Sequence, residues 1–160
     1  MRHIISILME NEAGALSRVI GLFSARGFNI ESLTVAQTQN KSLSRLTLVS
    51  EGEDEIIEQI VKQLNKLIDI VKIIDLTERE HVERELMLVK VSITNNHLEI
   101  KQLVDIFSCK IVDVSENTYT IEVSGKTKKI TAFLNALNTK NILEVARTGV
   151  TGVSRGRKTI

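Results

Sequence analysis

A chain of 160 residues with one cysteine, no proline and only five aromatic side chains can bury a sizeable core but offers few stacking surfaces. Its 21 basic and 20 acidic residues leave a net charge of +1, so nothing in the charge balance draws it to nucleic acid or a lipid surface. Cys109 alone excludes an internal disulfide framework and fits a reducing compartment. No apolar run is long enough for a signal segment or a membrane span, which makes the cytoplasm the expected location.

In chain order, Ile4 to Met9 is short, rich in branched residues and stopped by Glu10, the pattern of a buried strand. Leu16, Val19, Ile20 and Phe23 then recur at helical spacing, and Gly27 stands where a left-handed cap is wanted. Asn11 to Ala15 must therefore form a strand-to-helix turn whose free N–H groups and positive dipole end can seat an anion. Gly14 would let a ligand approach the backbone, and the Asn11 amide can both donate and accept. As a purely structural reading, Asn11 is the N-cap and Gly14 a turn residue.

Beyond that helix, Phe28 to Ala36 alternates with a phase slip, which predicts a bulge near Glu31-Ser32. A polar loop from Gln37 to Ser42 leads to a third strand over Arg45–Val49. Glu51 to Glu55 opens a helix carrying Ile57, Ile60, Val61 and Leu64, and Ile68 to Leu76 is the fourth strand. The acids at that helix start lack the spacing of a calcium loop.

The pattern repeats after a polar linker at 77–82. Met87, Val89, Val91 and Ile93 alternate; Ile100, Leu103, Val104 and Phe107 reproduce the first helical stripe. Ile111–Val114 and Tyr119–Val123 form a hairpin, Ile130, Phe133, Leu134 and Leu137 reproduce the second stripe, and a last strand runs from Ile142 to Thr148. The fold class is α+β: two ferredoxin-like βαββαβ units in tandem, over 1–76 and 83–150, followed by a basic tail at 151–160. In the second unit the first turn reads Asn95-Asn96-His97-Leu98, with Leu98 at the counterpart of Gly14, so the anion seat is not expected twice.

Several motifs tempt and fail. Gly125-Lys126-Thr127 resembles the end of a Walker A loop, but Thr120 stands where the other glycine is needed. Gly152-Val153-Ser154-Arg155-Gly156 spells a nucleophile elbow, yet the helix, acid and histidine that should follow have no room. His3, His81 and His97 form no metal-ligand pair with Cys109 or a neighbouring carboxylate at usual spacing, so no metal site is expected; Cys109 reads as a small buried side chain, and the sequon Asn40-Lys41-Ser42 is moot without export. An RNA-binding reading of the βαββαβ order needs aromatics on the central strands, and Arg45–Val49 has none. A small ferredoxin-like hydrolase would need an acid-base pair or an activated nucleophile, and none is apparent.

Asn11, Gly14 and Leu16, with Arg26 to Leu33 after the helix, resemble an ACT domain, the amino-acid-sensing module. More narrowly, Gly14 to Val19, Asn29 to Val35, Glu144 to Gly149 and Ser154 to Gly156 are similar to the small, regulatory subunit of acetohydroxyacid synthase (acetolactate synthase), along essentially the whole chain. The resemblance implies a chain without its own active site that activates a separate large catalytic subunit and confers feedback inhibition by valine in branched-chain amino-acid synthesis. It implies that thiamine diphosphate, magnesium and FAD belong to the large subunit, with none on this chain. It also implies a homodimer through the first unit, with valine between two ACT domains: Asn11, Gly14, Ala15 and Leu16 from one protomer, Asn29 and Ile30 from the other.

Overall fold

The computed structural model describes residues 1–94, 96–157 and 159–160; Asn95, part of the second-unit turn considered above, lies outside them. The chain divides into two compact units, one formed by Met1–Val82 with Val150–Ile160 and the other by Glu83–Gly149.

In the first unit, β1 (Arg2–Glu10), α1 (Ala15–Ala25), β2 (Ile30–Gln37), β3 (Leu43–Glu51), α2 (Asp54–Leu64) and β4 (Ile70–Asp75) follow the expected order. The four strands are antiparallel in the order β2-β3-β1-β4, leaving β2 and β4 as edges. One sheet face packs on the helices, with Ile5, Ile7, Leu46 and Leu48 meeting Ala15, Val19 and Phe23 of α1 and Ile57, Ile60 and Leu64 of α2. Truncating any of the isoleucines, leucines or Phe23 among these to alanine would cost roughly 2 to 5 kcal/mol in transfer and cavity terms. Leu16 is only partly buried, because the axis of contact runs through Ala15, Val19 and Phe23, one residue round the helix from the expected stripe.

The bulge falls between Ile30 and Ser32, and Gly27 has φ +71°, the left-handed cap the sequence asks for. The fourth strand is shorter than expected: Ile68 is 92% exposed, and the strand begins at Ile70. The opposite sheet face carries Ile4, Val49, Ile74 and Leu76, which Val150 covers. The last residues are therefore not a free basic tail. Thr151–Ser154 form β9, which pairs with β5 (His81–Ser92), and the Gly152 carbonyl accepts from the Arg45 guanidinium at 2.9 Å. Likewise, the expected linker contributes His81 and Val82 to β5.

The second unit repeats the plan with β5, α3 (His97–Ile106), β6 (Lys110–Val114), β7 (Thr118–Gly125), α4 (Thr127–Ala136) and β8 (Ile142–Arg147). Its strand order is β6-β7-β5-β8, and Met87, Val89, Val91, Ile121 and Val123 pack on Ile100, Val104, Ile130 and Phe133. The rings of Phe107 and Phe133 meet edge to face, 5.3 Å between centroids.

Candidate functional site

Gly14 is the N-cap of α1 and takes φ +88°, a left-handed conformation that non-glycine residues enter at a cost. No side chain caps this helix, so Asn11 is not the N-cap. Its amide instead bridges the turn to the β2–β3 loop, with Nδ2 donating to the Lys41 carbonyl (3.2 Å) and Oδ1 accepting from Ser44 Oγ (3.0 Å). The Asn11 N–H donates to the Ser42 carbonyl at 2.8 Å. These bonds hold the turn open beside the helix start, where the Leu16 and Ser17 amides fall in the first turn that an α-helix leaves without internal partners.

The residue that sequence reasoning missed is Arg18. A Cβ added at Gly14 would lie 3.2 Å from Arg18 Nη1, so the guanidinium stands over the glycine backbone. Its direction is fixed by Asp69, which accepts from Nε at 2.6 Å and from Nη2 at 2.9 Å, leaving Nη1 unspent. The same hydrogen bond holds the Asp69 carboxyl below the usual carboxylate range and raises Arg18. The remaining guanidinium nitrogen, a helix N-terminus and a side-chain-free approach are groups of the kind that receive one carboxylate-sized anion. The signal was present in the spacing: Arg18 lies four residues after Gly14, one turn along the same face.

Ala15 is buried beneath the turn, while Asn29 and Ile30 sit elsewhere. Phe28 N–H bonds back to the Phe23 carbonyl at the far end of α1, and Ser50 Oγ donates to the Asn29 carbonyl at 2.8 Å. An eleven-residue helix rises about 16 Å, so within one chain the pair Asn29-Ile30 is too distant to share a small ligand with Gly14. Four of the six expected site residues therefore form one cluster, and two form another.

The rejected motifs have ordinary places. Gly152 and Ser154 lie in β9 rather than at a strand-to-helix elbow, and Lys126 caps α4. Cys109 is only half-buried, and desolvation pushes its thiol up, away from thiolate chemistry. No helix among the described residues is long and apolar enough to cross a membrane.

Comparison with known proteins agrees with this anatomy. The family model for the AHAS small subunit-like ACT domain matches residues 5–72, and that for the small subunit of acetolactate synthase matches 84–156. The chain is 52% identical to the acetolactate synthase small subunit of Haemophilus influenzae, covering 100% of this chain and 99% of that one. It is 50% identical to the acetolactate synthase isozyme 3 small subunit of Escherichia coli, covering 99% and 98%. The crystal structure of the acetolactate synthase small subunit from Thermotoga maritima superposes with a TM-score of 0.91 at 42% identity over 99% of both chains. A chain matched in both units, over its full length and at these identities belongs to the family of regulatory small subunits of acetolactate synthase.

Proposed function

We propose that this subunit binds valine between the first units of two copies, and through that binding restrains a large subunit that it otherwise activates. The observation that carries the reading is the separation of the two clusters to opposite ends of α1, beside an edge strand of the sheet. Among the described residues β2, from Ile30 to Gln37, is an edge strand of its sheet, paired with β3. If two β2 strands pair antiparallel about a two-fold axis at Thr34, Val35 of one copy stands opposite Leu33 of the other, and Gln37 opposite Glu31, beside Ile30. Gln37 lies across from Ser44, whose hydroxyl bonds Asn11. The two-fold thus carries each Asn29-Ile30 pair to the other copy's Gly14 turn and builds two equivalent sites. Val35, in the helix-facing layer opposite Leu46, is 42% exposed on this edge and gives it an apolar contact.

In such a site the effector carboxylate meets the α1 amides and Arg18 Nη1, the amide of Asn29 fixes the polar end from across the axis, and Leu16 with Ile30 lines the branched side chain. The thiamine diphosphate, magnesium and FAD of the reaction belong to the large subunit, which supplies the chemistry.

Subunit mixing tests the shared site. Gly14→Asp and Asn29→Asp homodimers should each fail to bind valine, the first in one half-site and the second in the other. A refolded equal mixture should regain about a quarter of the sites, because each mixed two-fold dimer has one intact and one doubly altered site. Calorimetry that finds no recovery, with mixed dimers demonstrated by mass, rules out a site shared between copies.

A further inference from the structure

We propose that the first unit carries a divalent transition-metal site on His3 and Asp54, oriented by Asp75; the proposal does not rest on the valine reading. His3 lies on β1 and is only 5% exposed, yet its Nε2 is the buried side-chain polar atom that finds no hydrogen-bond partner among the described residues. Its Nδ1–H donates to Asp75 Oδ2 at 3.2 Å, and the other Asp75 oxygen accepts from the Thr77 N–H at 2.8 Å. In the neutral tautomer that this contact favours, the Nε2 lone pair is free. A carboxylate behind an imidazole N–H is the outer-shell arrangement that orients histidine ligands on metals.

Asp54, at the start of α2, places Oδ1 3.1 Å from that lone pair, but without hydrogen-bond geometry. Two acceptors facing each other at this distance repel unless positive charge lies between them. A proton would favour an in-line contact. A shared metal asks for an off-axis one: with bonds of about 2.0 to 2.2 Å at 90 to 109°, the nitrogen and oxygen ligands stand about 2.8 to 3.6 Å apart.

The two groups line a cavity of about 390 Å³ that also holds Glu58, one helical turn beyond Asp54, and Glu78. Four carboxylates stand there against the Met1 ammonium, which is bonded to the Gly52 carbonyl, and Lys62, which pairs with Glu58 at 3.4 Å. With a neutral imidazole the cavity keeps two negative charges, the complement of a dication. Among the described residues no three metal-ligating side chains already converge, so the site has two protein donors as it stands. A rotation of Glu58 supplies a third and water the remainder; an imidazole with carboxylates suits zinc or cobalt over calcium. Sequence spacing hid this site because its acids are 51 and 72 residues from His3.

The test uses the full chain, stripped with chelator and titrated with cobalt(II), read by calorimetry and by the visible absorption of the bound ion. One ion per chain is expected. His3→Gln should abolish binding, Asp54→Asn should weaken it at least tenfold, and Asp75→Asn should weaken it about 10- to 100-fold through loss of the oriented ring. His97→Gln, remote in sequence, should leave it unchanged. Because Asp54 is largely exposed, its variant should fold even if the His3 variant does not. No binding at millimolar cobalt, or binding indifferent to Asp54→Asn and Asp75→Asn, overturns the proposal. Valine affinity measured on the same samples separates this outcome from a failure of the effector site.

Discussion

Replacing Gly14 by aspartate tests the anion seat, because the structure separates the two things the substitution does. The first is strain. At φ +88° an L residue costs about 1 to 2 kcal/mol, and the new Cβ would lie 3.2 Å from an Arg18 Nη1 that Asp69 prevents from swinging away. The second is charge: a carboxylate tethered there takes the unspent Nη1 and the helix end, the groups proposed to receive the effector. Aspartate tolerates the left-handed region better than most residues and gains the contact to Arg18, so net destabilisation should be about 1 kcal/mol, or 4 to 8 °C in Tm for a domain of this size. Valine affinity should fall at least 100-fold, about 2.8 kcal/mol. Gly14→Ala carries the same strain and Cβ without the charge and should lose clearly less. Calorimetry and thermal melts on both variants, then turnover of the large subunit across a valine titration, give the answer. Gly14→Asp should still stimulate the large subunit while ignoring valine. Normal valine affinity for Gly14→Asp refutes the site, and equal losses for the two variants refute the electrostatic part of the reasoning.

Val35→Lys should push the first-unit dimer towards monomer, since it sets a charge against the apolar Leu33 of the other copy on the β2 edge; sedimentation velocity with and without valine measures it. Asp69 has its folded pKa depressed by Arg18, so its stabilising contribution is complete above the unfolded value of about 3.9 and disappears as pH falls through the lower folded value. Asp69→Asn should accordingly be less stable at neutral pH and lose less on acidification, which denaturant melts at pH 7 and pH 3 compare. In the second unit, Glu85 is buried and accepts from Arg147 Nε at 2.6 Å and Nη2 at 3.0 Å. Arg147→Met should cost about 3 kcal/mol, the low end for stranding a buried charge because Arg147 keeps over a third of its side chain in water, and urea denaturation checks it.

Local order was legible where one segment carried its own signal. Alternation placed the strands, the phase slip at Glu31-Ser32 announced the bulge, and Gly27 marked the end of α1 because its left-handed cap is a property of that residue. What escaped was made by partners far apart in the chain. Nothing near Arg18 points to Asp69, and nothing near His3 points to Asp54 or Asp75. Asn11 looked like an N-cap because its neighbours favour one; the hydroxyl of Ser44 and the carbonyl of Lys41, brought in by the hairpin, outcompete the helix for its amide. At the second unit's start the N-cap position that Gly14 holds in α1 falls on Asn96, not on Leu98 as the helical spacing predicts. Asn96 takes φ −145° and Leu98 is exposed, so the α3 N-cap itself is neither left-handed nor free of a side chain, unlike Gly14.

The return of the last residues changes how the second unit must be removed. Because Val150–Ile160 belong to the first unit, Glu83–Gly149 is an insertion within it. A chain ended after Glu80 therefore loses more than a domain. It uncovers Ile4, Val49, Ile74 and Leu76, each at most 4% exposed when Val150 is present, and it frees the Arg45 guanidinium from the Gly152 carbonyl. Burial of Val150 alone is worth about 1.5 to 3 kcal/mol. A domain whose whole stability is about 5 to 15 kcal/mol can lose feedback from that change without any loss of coupling between units. Deleting 150–160 alone should lower the urea midpoint of the first unit by an amount matching about 2 to 4 kcal/mol, with Val150→Ala recovering roughly half of the effect. Excising 83–149 and joining the ends through a flexible link should spare that stability. If this excised chain binds valine normally but no longer transmits it to the large subunit, the second unit couples effector to catalyst, because an effector acts only through a difference in affinity between two states. An excised chain with full valine sensitivity removes the second unit from the switch, and an unchanged midpoint after loss of 150–160 would show that Val150 does not hold the sheet face.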